Sequence, residues 1–267
     1  DIGRVGKQAN GCAFMRYGDT TVMSTATASK KPREGIDFFP LSVDYEEKMY
    51  AAGKIPGGFL KREGRPSEHA TLTSRVIDRP MRPLFPKDYR NDVTLNNLVM
   101  SVDPACNPEV VAMLGSSIAT SISDIPFAGP CAATQIGLIN GELVVNPGLD
   151  DNVLSDLQLT VASTRDKVIM IEAGANEVPE DKMVEAIYLA DATNKEVIAF
   201  IDRIVAECGK EKHSYESCAV PEELFEAIEE IVPQEAMEEA VFTDEKSVRD
   251  ANIDAITKKL QEAFADK

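Results

Sequence analysis

Tryptophan is absent, histidine occurs only at His69 and His213, and the five cysteines are scattered. Cys12, Cys106, Cys131, Cys208 and Cys218 form no CxxC pair and are odd in number, which excludes a zinc-finger pattern and a disulfide framework. Reduced thiols in a cytoplasmic protein are the simplest reading. No apolar run approaches the roughly 20 residues that cross a bilayer, and no secretory signal stands at the start. The opening DIGRVGKQANG lacks Met and reads as a trimmed start. No repeat recurs at the roughly 20–50-residue periods of solenoids and propellers. Positive charge is scarce too: 28 Lys/Arg stand against 45 Asp/Glu, a net charge of −17, so a chain basic throughout and coated in nucleic acid is excluded. With 43% hydrophobic residues in 267, the chain can nevertheless bury a sizeable core.

The scarce cations are concentrated. Lys54 to Arg90 holds nine Lys/Arg against four acids, an island that calls for a polyanion, a phosphate or an acidic partner surface. Gly57-Gly58 permits a sharp backbone turn, and Phe59, Leu60, Lys61 and Arg62 follow at once on what reads as a loop. Apolar and cationic side chains on a glycine-hinged loop suit single-stranded nucleic acid, whose bases stack while its phosphates meet cations. The plainer alternative tucks Phe59 and Leu60 into the core and leaves the cations solvated. Ser67 is a candidate N-cap for a helix through about Asp78. Arg75 and Arg79 then share a face, Pro80 ends or kinks the helix, and Arg82 follows. Three guanidiniums at a helix end would make an anion clamp; salt bridges to the acidic body are the alternative.

Elsewhere the pattern alternates between strands and helices. Residues 12–17 and 21–27 predict a hairpin turning at Gly18-Asp19, and residues 38–45 and 92–101 predict further strands. Asn107-Pro108-Glu109 opens a helix rich in Ala, Ser and Gly through about Ser123, whose small side chains permit close approach to a sheet. Residues 132–139 and 143–145 form a hairpin around Asn140-Gly141, and 157–163 with 168–172 form another. Residues 179–208 have helical spacing with an interruption at Asn194. From 204 to 267 the chain carries 17 acids and seven Lys/Arg with almost no strand signal. Helices are expected at 221–231, 233–241 and about 243–264, the last capped by Thr243. The layout is α+β, with a core over 1–208 and an acidic helical domain over 209–267.

The run IPGGFLKREGRPSEHATLTSRVIDRPMRPLFP closely resembles the ribonuclease PH superfamily, in particular the first core of its two-core phosphorolytic enzymes. The likeness extends through Gly18-Asp19-Thr20-Thr21-Val22 and Val161-Ala162-Ser163-Thr164 and covers essentially the whole chain. It implies a ribonuclease PH-like core (ribosomal protein S5 domain 2-like fold) followed by an all-α domain. It also implies phosphorolysis, in which inorganic phosphate attacks the 3′-terminal linkage of RNA with Mg2+ assistance in a homotrimer. By resemblance the loop Phe59, Leu60, Lys61 and Arg62 lines the trimer's central pore, where the family has two aromatic rings and two arginines. Leu60 cannot stack as a ring does, and Lys61 lacks the guanidinium fork. RNA contact is expected at Phe59, Leu60, Lys61, Arg62, Arg65, Arg75 and Arg79.

Catalysis in the family belongs mainly to a second core, where a serine-rich turn, two aspartates and a lysine hold phosphate and metal. With Val161-Ala162-Ser163 fixing the register, Asn152 and Gln158 stand at the aspartates, Thr160 at the lysine, and Asn107-Pro108-Glu109 at the serine turn. The charged groups are missing and Glu109 opposes phosphate, so no catalytic or metal-binding residue is expected in this chain. The full enzyme's Mg2+ site and phosphate site are expected outside it. Asp150 and Asp156, with five residues between them, offer a substitute pair outside that register. The expected role is guiding single-stranded RNA in the first part of a 3′→5′ exoribonuclease, as a homotrimer with RNA-degradation partners. The rivals are a self-sufficient ribonuclease PH-type tRNA-trimming enzyme using Asp150 and Asp156, and a non-enzymatic assembly subunit.

Overall fold

The computed structural model describes residues 1–265. Strands β1 (Gly11–Tyr17) and β2 (Thr20–Ala28) form the expected hairpin, with Tyr17 opposite Thr20 and Gly18 taking φ +56° at the turn. Strand β3 (Leu41–Glu47) leads into the basic island, helix α1 (Glu68–Met81) and strand β4 (Val93–Ser101). The four strands make one sheet in the order β1-β2-β4-β3. β3 and β4 run parallel, joined across α1, so one βαβ crossover sits inside the α+β layout. Residues 38–40 stay outside β3. Phe39 instead stacks on Phe85 and Tyr89, with ring centroids 4.8 and 5.8 Å away.

Ser67 caps α1, its hydroxyl accepting from the Ala70 N–H at 3.0 Å. The helix runs three residues beyond Asp78, through Pro80 to Met81, before tightening into a 3-10 turn over Arg82–Leu84. Pro80 lies in the last turn and is buried with Ile77 and Met81, so packing outweighs the one backbone bond its ring removes.

Helix α2 (Pro108–Ile122) is buried along nearly its whole length and packs on β1, β2 and β4. Its small residues make this approach possible. A Cβ at Gly115 would lie 2.2 Å from Ser24 Oγ, and one at Gly11 would lie 2.0 Å from the Ala119 carbonyl oxygen. Asn97, fully buried on β4, accepts from the hydroxyls of Ser24 (2.6 Å) and Ser116 (2.8 Å), which satisfies both across the helix–sheet seam.

The second sheet comprises β5 (Ala132–Ile139), β6 (Glu142–Val145), β7 (Leu157–Ser163) and β8 (Val168–Ala175) in the order β6-β5-β7-β8. Asn140 and Gly141 both have positive φ at the β5–β6 turn, the geometry of a two-residue hairpin. A short helix, α3 (Leu149–Val153), joins β6 to β7; its five residues are too few for a periodic signal. Leu157, Leu159 and Val161 of β7 pack with Ala186 and Ala190 of the long helix α4 (Glu180–Cys208). Gln158 and Thr160 therefore point to the opposite face of the sheet.

α4 is not interrupted at Asn194. That side chain is fully buried and donates to the Val161 carbonyl (3.0 Å) and the Ser163 hydroxyl (3.2 Å). Its Oδ1 accepts from Thr134 at 2.8 Å. A polar residue that reads as a break from sequence is thus the bolt between helix and sheet.

The chain divides into two compact units, Asp1–Ser217 and Cys218–Lys267. Residues 209–217 belong to the first unit and run as a strap along it. Lys212 Nζ donates to the carbonyls of Thr120, Ser121 and Ser123 at the end of α2, and burial lowers its pKa. Asp88 accepts from Ser217 and Tyr215, and those bonds hold its carboxyl below the usual carboxylate range. The second unit contains α5 (Glu222–Ile231), α6 (Gln234–Val241) and α7 (Lys246–Ala263). The all-α domain expected after the core is not in this chain: among the described residues this unit buries only Val232 and Ala240 of its apolar side chains, too little for a domain core. Thr243 does not cap α7, which starts at Lys246 with Glu245 at the cap position; the Thr243 hydroxyl donates to the Glu245 carbonyl instead.

Replacing Asn194 by Ala removes the buried acceptor of the Thr134 hydroxyl and the donor to the Val161 carbonyl. Denaturant unfolding of Asn194→Ala is expected to show a loss of roughly 1–3 kcal/mol, whereas a surface change such as Glu196→Gln is expected to fall within about 0.5 kcal/mol.

Candidate nucleic-acid interface and the cleft beside it

The glycine-hinged loop lies wholly at the surface. Phe59 is 100% exposed and Leu60 76%, with Lys61, Arg62 and Arg65 exposed beside them. Lys61 takes φ +50°, a left-handed position that few side chains adopt, and its N–H closes a turn onto the Gly58 carbonyl at 3.0 Å. Glu63 anchors the loop by accepting from the Met49 N–H at 2.9 Å. Among the described residues, the side chains of Lys61, Arg62, Arg65 and Arg75 form no ion pair or hydrogen bond. An apolar ring and leucine held out in water among unneutralised cations have no stabilising partner among the described residues.

The three-arginine clamp does not assemble. Arg82 donates to the carbonyls of Phe39 and Leu41, both at 3.1 Å, pairs with Asp78 at 3.0 Å, and lies 5.9 Å from the Phe39 ring centroid. It ties the end of α1 to the start of β3. Arg79 pairs with Glu172 of β8 at 2.5 Å. Arg75 alone of the three keeps a free guanidinium, exposed near Asp44 and Asp78 at the edge of β3.

On the other face of α1 the structure brings the register-matched positions to one place. A cleft of about 510 Å³ is lined by Asn107 and Glu109 at the start of α2, Asn152 of α3, Gln158 and Thr160 of β7, and Glu172 of β8. Glu109 has three partners. It accepts from Thr73 (3.1 Å) and Gln135 (3.0 Å) and meets His69 Nε2 at 2.7 Å. Gln135 in turn accepts from Asn107 at 2.8 Å, and Asn107 caps α2 by accepting from the Glu109 N–H. His69 also faces Glu47 at 3.8 Å. Glu47 accepts from the Tyr45 hydroxyl, whose pKa burial and then Glu47 push far above its ordinary value. Sequence reasoning missed His69, Thr73 and Gln135 here; that only two histidines exist was the single available hint.

The cleft does not fit Mg2+. Among the described residues no group of three or more His, Cys, Asp or Glu side chains is placed to hold a metal, and amides and a hydroxyl occupy the matched positions. Asp156 is exposed at the start of β7, beside the Asn176 amide, and Asp150 is exposed on α3.

Two sheets sharing one small-residue helix, with a cleft at the junction of α1, α2 and β7, define a ribonuclease PH-like fold. Residues 1–126 match the model of the 3′ exoribonuclease family, domain 1, and residues 129–193 match that family's domain 2. The junction falls between the two sheets. The chain is 74% identical over 264 residues to the polyribonucleotide nucleotidyltransferase of Lachnoclostridium phytofermentans, covering 99% of this chain and 38% of that protein. It is 53% identical over 267 residues to that of Ruminiclostridium cellulolyticum and 50% to that of Staphylococcus epidermidis, in each case over 100% of this chain and 38% of the relative. The chain belongs to the 3′ exoribonuclease family and spans about 38% of the length of these relatives. Among the described residues no helix is long and apolar enough to cross a membrane.

Arg82 and Arg62 are expected to separate by readout. Arg82→Ala lowers stability, seen as a reduced unfolding midpoint, by about 0.5–1.5 kcal/mol because two carbonyls and Asp78 lose a half-exposed donor. Arg62→Ala leaves the midpoint within about 0.5 kcal/mol, since the side chain has no partner among the described residues.

Proposed function

We propose that this chain is the N-terminal part of a phosphorolytic 3′→5′ exoribonuclease, a polyribonucleotide nucleotidyltransferase, and that it guides single-stranded RNA. Phe59 offers a ring on which a base stacks, Leu60 adds apolar surface, and Lys61, Arg62 and Arg65 meet the phosphates. Arg75 extends the cationic track along α1, and Arg79 joins it when Glu172 releases it. The observation that carries this reading is the fully exposed Phe59 among cations without partners. RNA would meet a local basic surface while the acidic remainder discourages binding elsewhere.

The bond-breaking step is assigned to a second core outside this chain, with inorganic phosphate as co-substrate and Mg2+ held there. This first core would assemble with two further copies so that three loops surround one strand, in a cytoplasmic enzyme of RNA degradation. The rival with Asp150 and Asp156 as catalysts is disfavoured by their exposed positions and by the absence of a metal-holding group among the described residues. A purely structural subunit leaves the exposed ring and cations unexplained.

The chain alone, incubated with poly(A), Mg2+ and inorganic phosphate, is expected to release no ADP. Poly(A) binding should fall with salt, at a log–log slope of about −0.7 per phosphate contacted. Phe59→Ala should weaken it by about 1–3 kcal/mol. Phosphate-dependent ADP release lost in Asp156→Ala would instead make this core a catalyst, and an absence of salt-sensitive binding would overturn the guiding role.

A further inference from the structure

The cleft beneath α1 has a chemistry that differs from that of the loop. Its volume of about 510 Å³ lies in the range of small-molecule sites. No lysine or arginine lines it, His69 is turned onto Glu109, and Glu172 is paired with Arg79, so an anion finds no unengaged counter-charge. With no metal-holding group among the described residues, a cation such as Mg2+ finds no adequate donor set. What remains free is neutral and two-sided. The Asn152 and Gln158 amides and the Thr160 hydroxyl line the cleft and make no side-chain hydrogen bond within the described chain. Each amide presents a donor and an acceptor side by side. Apolar surface accompanies them: Leu72 of α1 and Leu149 of α3 are both substantially exposed and both line the cleft. Opposite Gln158 on β8 stands Gly174, where an added Cβ would meet nothing within 4 Å, so the floor is open.

We propose that this cleft binds a neutral nitrogen heterocycle of the nucleobase type, read edge-on by Asn152, Gln158 and Thr160 and covered on its faces by Leu72 and Leu149. A planar ring carrying adjacent donors and acceptors satisfies the free amides, and burial between leucines supplies the apolar contribution. Glu109, fixed by His69, Thr73 and Gln135, is positioned to accept from an exocyclic amine. The site lies apart from the loop residues and does not depend on their role; a base from an RNA strand and a free nucleoside present the same chemistry to it.

Calorimetric titration of the chain with adenosine, uridine, inorganic phosphate and Mg2+ separates the possibilities. Saturable binding of a nucleoside is expected, with none of phosphate or Mg2+. Gln158→Leu should weaken it about tenfold, the value of one lost hydrogen bond. Gly174→Val, whose Cβ meets no atom within 4 Å, should abolish it while the unfolding midpoint is retained. Phe59→Ala/Arg62→Ala should leave nucleoside affinity unchanged while poly(A) binding falls, so failure at the loop and failure at the cleft are distinguishable. Competition by adenosine against a single-stranded oligonucleotide in the Phe59→Ala/Arg62→Ala background would identify a strand base as the source, and lack of competition a free nucleoside. Absence of saturable nucleoside binding, equal binding by Gly174→Val, or displacement of the nucleoside by phosphate would each overturn the proposal.

Discussion

The close seating of α2 against the first sheet is the constraint on which the rest depends. Gly11 and Gly115 leave no room for a side chain, and Asn97 ties Ser24 and Ser116 together in the seam they create. Because the helix sits so deep, its N-terminus reaches the second sheet, where Asn107 meets Gln135, and its C-terminus meets Lys212 on the strap. A larger side chain at either glycine would move all of these together, since packed interiors transmit displacement rather than absorb it.

Charge is partitioned by where it can be neutralised. Arg79 and Arg82 sit near acids and carbonyls of neighbouring elements and are drawn into structural roles, as exposed or half-exposed pairs of modest energetic worth. Lys61, Arg62 and Arg65 lie on a loop lifted from the body, with Glu63 turned back to the Met49 N–H instead of towards them. The same island therefore supplies both fasteners and a free cationic surface. That division leaves the loop cations uncompensated among the described residues although the chain's net charge is −17.

The cleft is walled by neutral amides and a hydroxyl beside two carboxylates that already have partners. Asn152, Gln158 and Thr160, which the sequence resemblance would match to two aspartates and a lysine, line the cleft together with Glu109. The hydrogen bonds of Glu109 to Thr73 and Gln135 and its contact with His69 convert what would be an isolated carboxylate into part of the wall.

Local chemistry by itself determined much of this protein. The turns at Gly18-Asp19 and Asn140-Gly141, the caps at Ser67 and Asn107, the small-residue helix and the surface loop at Phe59 all follow from residues adjacent in the chain. The long matching run around that loop likewise located the family. Tertiary structure decided what depends on distant partners. It placed Asn194 against Thr134 and Val161, drew Arg82 to Phe39 and Leu41, and set β3 parallel to β4. It also gathered His69, Glu109, Gln135 and Gln158 into one cleft from four separate elements. A side chain's propensity is set by its neighbours in sequence, but its hydrogen-bond partner is chosen only when burial makes an unpaired group too costly.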